Sequence, residues 1–134
     1  MELPVHLSKE SRVPIYHQIA GQIQAMIASG QLAPGAPLPS IRTLSKDLEI
    51  SAITTRRAYQ DLELEGFITT IQGKGTFVAK VEESLIRSVK IKSVQQAMEK
   101  SIESALQQNY TFEEIETIFA ELIEELKTKK GGKG

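Results

Sequence analysis

Residues 40–78 read SIRTLSKDLEISAITTRRAYQDLELEGFITTIQGKGTFV, and the fold is decided in this stretch. Ser40 is a good N-cap for a helix over 41–48, with Ile41, Leu44 and Leu48 facing inward. "EIS" at 49–51 is a short turn. Ser51 can then cap a helix over 52–65 whose inner face carries Ala58, Tyr59 and Leu62, and Gly66 ends it. Two β-branched runs follow, 67–71 and 76–81, joined by the corner QGKG. Two short helices around a tight turn, with a hairpin behind them, make a helix-turn-helix with a β-wing.

Upstream, Ile15, Ile19, Ile23 and Ile27 recur at four-residue spacing, which predicts a helix over 14–29 that starts at Pro14 and stops at Gly30. Residues 2–13 before it read as a loose arm. "LAPGAPLP" at 32–39 is too rich in proline for a helix and reads as an ordered turn or a single extended segment. Downstream, Glu82 and Glu83 mark a change of character. Leu85, Val89, Ile91, Val94, Met98, Ile102, Ala105 and Leu106 predict a long amphipathic helix with a break or phase shift near 89–93. "QQNY" breaks it, and "TFEE" at 111–114 has the spacing of a capping box. Phe112, Ile115, Phe119, Leu122 and Leu126 then form a coiled-coil-like seam, widened by Ile118 and Ile123. The tail from 128 to 134 is lysine and glycine with one threonine and reads as disordered. The expected fold is mostly α with a small β-wing. A winged helix-turn-helix domain occupies 1–80 and a helical dimerisation region 81–134.

Composition narrows the function. Of 134 residues, 40% are hydrophobic and 25% charged, near globular averages. There is no cysteine, which excludes a disulfide framework, a thiolate metal site and a cysteine nucleophile. The opening MELPVHLSKESRVP lacks a signal-peptide core, and no apolar run is long enough to span a bilayer. A cytoplasmic protein without membrane contact is expected. Net charge is −1, divided as +1 over residues 1–80 and −2 over 81–134. Any face for nucleic acid must therefore be a local cationic patch. The pattern GKGT lacks the spacing of a phosphate-binding loop, and His6 and His17 have no metal-site partners. No serine, histidine and acid constellation suggests a hydrolase. Neither an enzymatic role nor a metal or other cofactor is expected.

Ser51, Ala52, Ile53, Thr54, Thr55, Arg56 and Arg57 form the first two turns of the third helix. The N-terminal residues of a recognition helix meet the major groove, where arginine can bridge guanine O6 and N7. Arg56 and Arg57 stand about 100° apart around the axis, so both cannot point straight into the groove. A plainer reading makes them a solvated face, with Arg57 paired to Asp61. Arg42, near the start of the preceding helix, can hold a phosphate or remain a surface cation. Gly73, Lys74 and Gly75 put a cation on the hairpin tip between residues that tolerate positive φ. Such a wing can enter a minor groove, or serve as a plain turn.

With these residues in view, 14–79 resembles the DNA-binding half of the GntR family of bacterial transcription regulators. The resemblance is carried by G-x-L-x-P-G-x-x-L-P-S-x-R-x-L at 30–44, T-x-R-R-A-Y-x-x-L-E-x-E-G at 54–66 and G-K-G-T-F-V at 73–78. The short remainder is similar to the YtrA-type branch, whose C-terminal helices serve chiefly for dimerisation and whose members often control transporter operons. The resemblance implies operator contacts from Arg42, Ser51, Thr54 and Arg56, with Gly73 to Gly75 on the wing tip. Ala52 and Ile53 depart from the arginine and asparagine common among relatives. Base reading is then expected to shift to Thr54, Thr55 and Arg56, with Ile53 against a thymine methyl.

The expected function is a sequence-specific DNA-binding regulator, a repressor on an inverted-repeat operator. The expected partners are double-stranded DNA and a second copy of the chain. Met98, Ile102, Leu106, Phe112, Ile115, Phe119, Leu122 and Leu126 are the expected dimerisation residues. The sequence names no effector. The competing reading is a winged-helix module that binds protein without DNA, favoured by the near-neutral charge.

Overall fold

The computed structural model describes residues 3–131. The elements run α1 (Ile15–Ala28), β1 (Pro37–Leu38), α2 (Ile41–Leu48), α3 (Ala52–Leu64), β2 (Ile68–Ile71), β3 (Gly75–Val78), α4 (Glu83–Gln107) and α5 (Phe112–Lys129). The predicted caps set the helix starts. Ser40 Oγ accepts from the Thr43 amide at 3.0 Å, and Ser51 Oγ accepts from the Thr54 amide at 3.2 Å. Thr111 and Glu114 close a reciprocal capping box on α5. Between α2 and α3, Glu49 takes a left-handed conformation at φ 57°, which lets three residues turn the chain from one helix into the next.

Ile19 and Ile23 of α1, Leu44 of α2 and Leu62 of α3 bury fully against Phe67, Ile68 and Val78 at the base of the wing. Each such side chain contributes about 1.5–3 kcal/mol by leaving water. The sheet is antiparallel in the order β1-β3-β2. Thr70 pairs with Thr76 across the wing, and Pro37 pairs with Phe77 on the other side. The proline-rich segment thus supplies a two-residue edge strand as well as a turn. An edge is the place in a sheet that tolerates proline.

Residues 3–13 are not the loose arm the sequence suggests. Leu3 and Val5 are buried in the core, and two glutamines of α1 hold the arm's backbone. Gln22 accepts from the His6 amide at 2.9 Å and donates to its carbonyl at 2.7 Å. Gln18 accepts from the Ser8 amide and donates to the carbonyls of Ser8 and Val13 at 2.8–2.9 Å. These side-chain amides do for the arm what a neighbouring strand would do.

The chain divides into two compact units, one ending at Lys92 and one beginning at Ser93. Placing the division after residue 80 cuts short the first unit, because Leu85 and Val89 pack against its core. Of the break or phase shift expected at 89–93, the break is absent. α4 runs unbroken for 25 residues, since nothing between Val89 and Ser93 breaks a helix. Asn109, at φ 70°, makes the turn into α5. α5 extends through Lys129, past the point where the tail was expected to begin. Lys127 and Lys129 in its last turn favour that extension by meeting the negative end of the helix dipole. Residues 132–134 of that expected tail lie outside the described residues.

Candidate nucleic-acid interface

The interface is built on the outer face of α3. Thr55, Ala58, Tyr59 and Leu62 recur at the spacing of one helical face, and all are buried. Tyr59 reaches back to donate to the Pro39 carbonyl at 2.7 Å, which fixes α3 against the segment entering α2. Burial raises the Tyr59 phenol above its ordinary value. With that face anchored, Ser51, Ala52, Ile53 and Arg56 turn to solvent.

Thr55 is a correction to the sequence reading. It is 0% exposed, and its Oγ1 lies 2.8 Å from Ser45 Oγ, which is itself 2.7 Å from the Ile41 carbonyl. This hydroxyl pair joins α2 to α3 within the protein and cannot reach a base. Thr54 is half-buried, its hydroxyl 2.9 Å from Ser51 Oγ at the helix cap. Ser51 and Thr54 thus present capping hydroxyls and the first amides of α3, a geometry suited to phosphate oxygens.

The two arginines separate. The Arg57 guanidinium lies 4.0 Å from the centroid of the Tyr16 ring, drawn back onto α1 by a cation–π contact. Asp61 is not its ion-pair partner: among the described residues, the one ion pair is Lys127 with Glu124. Arg56 is exposed and holds no ion pair among the described residues, which leaves it the long donor of the outward face. Tyr16 and Ser45 are the residues that sequence reasoning missed. Each acts on α3 from another helix.

Arg42 is exposed in the first turn of α2. Gly73, Lys74 and Gly75 are exposed at the wing tip, where the Lys74 amide donates to the Ile71 carbonyl at 2.9 Å. Gly73 at φ 81° and Gly75 at φ 121° make this tight corner. Thr70 Oγ1 donates to Glu63 Oε1 at 3.2 Å, tying β2 to the far end of α3.

The expected dimerisation residues divide differently. Met98, Phe112, Leu122 and Leu126 are exposed, and Ile102, Leu106 and Phe119 are half-buried. Ile115, at 5% exposure, is already buried within its own chain and is not available to a partner. Ile91, Val94, Ile118 and Ile123 add to the exposed apolar surface. No helix among the described residues is long and apolar enough to cross a membrane.

Known proteins share this arrangement. Residues 15–78 match the profile of "Bacterial regulatory proteins, gntR family". The HTH-type transcriptional repressor NagR of Bacillus subtilis is 41% identical over 76 residues, which cover 57% of this chain and 31% of NagR. This chain therefore spans less than a third of that relative. The HTH-type transcriptional repressor YtrA of the same organism is 30% identical over 96% of this chain and 97% of its own length. A solved GntR family transcriptional regulator from Listeria monocytogenes is similar with a TM-score of 0.64 at 27% identity, covering 86% of this chain and 98% of that one. Profile, full-length relative and fold agree: the chain belongs to the gntR family of bacterial regulatory proteins, in its short YtrA-type branch, and is a DNA-binding transcriptional regulator.

Proposed function

We propose that the protein is a cytoplasmic repressor that binds an inverted-repeat operator as a homodimer. Two α3 helices enter successive major grooves about 34 Å apart, one helical turn of DNA. Arg56 reads a guanine. Ser51, Thr54 and Arg42 hold phosphates, and Lys74 follows the duplex from the wing tip. α4 and α5 join two protomers through their exposed apolar faces, and the joined pair gains affinity through effective concentration. Control of a transporter operon fits the YtrA-type branch. The reading includes no enzymatic activity and no membrane contact.

The observation that carries this reading is the asymmetry of α3. One face is locked into the core by Thr55 and Tyr59, and the opposite face is exposed with Arg56 lacking an ion-pair partner among the described residues. Family membership disfavours the protein-binding module without DNA contact. Fluorescence anisotropy on a duplex selected from a random library tests the proposal. Arg56→Ala should weaken binding by roughly 5- to 150-fold, the worth of a bidentate guanine contact, with an unchanged melting temperature. Equal affinity for wild type and variant would refute the role given to Arg56.

A further inference from the structure

The surface of α3 contains an apolar residue that folding does not use. Ile53 is 77% exposed in the second position of the helix. At about 100° per residue, the line of Thr55, Ala58, Tyr59 and Leu62 places Ile53 almost diametrically opposite the core. Gln60 and Leu64 share the outward line, but lie about 10 Å and 16 Å farther along the axis, past the first turns that meet a groove. Ile53 therefore stands foremost on the face that approaches DNA, with Ala52 beside it, and neither side chain can donate or accept a hydrogen bond.

The neighbours narrow the chemistry. Thr55 is sealed against Ser45, Thr54 is engaged with Ser51, and Arg57 is held on Tyr16. The outermost position of the helix thus carries a branched hydrocarbon and no polar substitute. The major-groove edges of the bases offer one apolar group, the C5-methyl of thymine. Cytosine at the same place has N4 where thymine has O4 but only a hydrogen on C5, so the contact with Ile53 is lost there.

We infer that Ile53 is a specificity-determining residue that selects thymine over cytosine in each operator half-site by packing on the C5-methyl. This rests on the reading of the protein as an operator-binding dimer. Ile53 acts beside Arg56, which stands one turn farther along the same side of the helix. The half-site then combines a methyl-read A·T pair with a guanine read by hydrogen bonds.

The test starts from a duplex selected by the wild-type protein from a random library. Each thymine is replaced in turn by deoxyuridine, which removes the methyl and keeps the base pair. One replacement per half-site should weaken wild-type binding about three- to fivefold, the worth of one buried methyl. Ile53→Ala should be insensitive to that same replacement. Ile53 makes no core contact and alanine is the better helix former, so the variant should fold. Ile53→Asn should shift the preferred base there to adenine, whose N6 and N7 an amide can bridge. Equal loss in wild type and Ile53→Ala, or a selected half-site with no fixed thymine, would overturn the inference and leave the operator reading intact. Failure of the library to yield any preferred sequence would overturn both.

Discussion

Phe67 and Phe112 are the same residue type in two differently built regions. Phe67 is 1% exposed at the base of the wing, packed into the core formed by α1, α2 and α3. Phe112 is 64% exposed at the start of α5. Both regions have periodic apolar residues. In the first, the apolar faces of three helices and a sheet meet within the chain. In the second, α4 has no buried residue and α5 has one, Ile115. Apolar periodicity thus announces a face that needs covering but does not say which chain covers it. A partner that covered such open faces would add to the region's stability.

The largest effect expected from this contrast is on the two phenylalanines themselves. Phe67→Ala should destabilise the winged unit by about 3–5 kcal/mol, as large-to-small changes in a packed core do. Phe112→Ala should change the stability of an isolated protomer by less than about 0.5 kcal/mol. Denaturant melts at several protein concentrations would show this. A large loss at Phe112 that does not depend on concentration would break the comparison.

A sharper test separates the two regions by function. Ile118→Asp with Leu122→Asp puts charges on the open face of α5 without touching the winged core. The pair should convert a dimer to monomers in sedimentation equilibrium and reduce operator affinity by about 100-fold or more. The melting of the winged unit should be unchanged. Monomeric wild-type protein at high concentration would remove the basis for the proposed dimer.

The two arginines give a smaller contrast on one helix. Whereas Arg56→Ala should cost DNA binding and no stability, Arg57→Ala should cost roughly 0.5–1 kcal/mol of stability through loss of the contact with Tyr16. Equal effects on operator affinity would erase the distinction drawn from their contacts.

Tyr59 gives an effect of similar size, about 1 kcal/mol for Tyr59→Phe through the lost bond to the Pro39 carbonyl. It also has a pH signature. The folded phenol titrates above its ordinary value of 10.0, so folding favours the protonated form. Its contribution is complete below pH 10 and is lost as pH rises further, where the unfolded chain releases the proton first. Urea melts between pH 8 and 11 should show stability falling above pH 10 in wild type and falling less in Tyr59→Phe.

Much of the winged unit was legible because its signals are local. Ser40 and Ser51 announce helix starts, Gly66 a stop, and the alternation around Gly73–Gly75 a hairpin. Where the sequence reading failed, the deciding contact is remote. The arm is held by Gln18 and Gln22, whose amides form backbone bonds that no hydrophobic pattern encodes. Tyr16 claims Arg57 from 41 positions away, so the choice between two adjacent arginines could not be made locally. β1 is two residues long and carries no period of its own. Thr55 differs: it shares the spacing of Ala58, Tyr59 and Leu62, and a strict reading of that period assigns it to the core. Its hydroxyl made it look like a DNA contact, while Ser45 supplies the buried partner that satisfies it.

Hydroxyl-radical footprinting of the full-length protein on its selected duplex tests the central claim most directly. Two winged units joined through α4 and α5 should protect two half-sites centred about 34 Å apart, or a multiple of that spacing, with two protomers per duplex at saturation. A single protected half-site holding one protomer would contradict it.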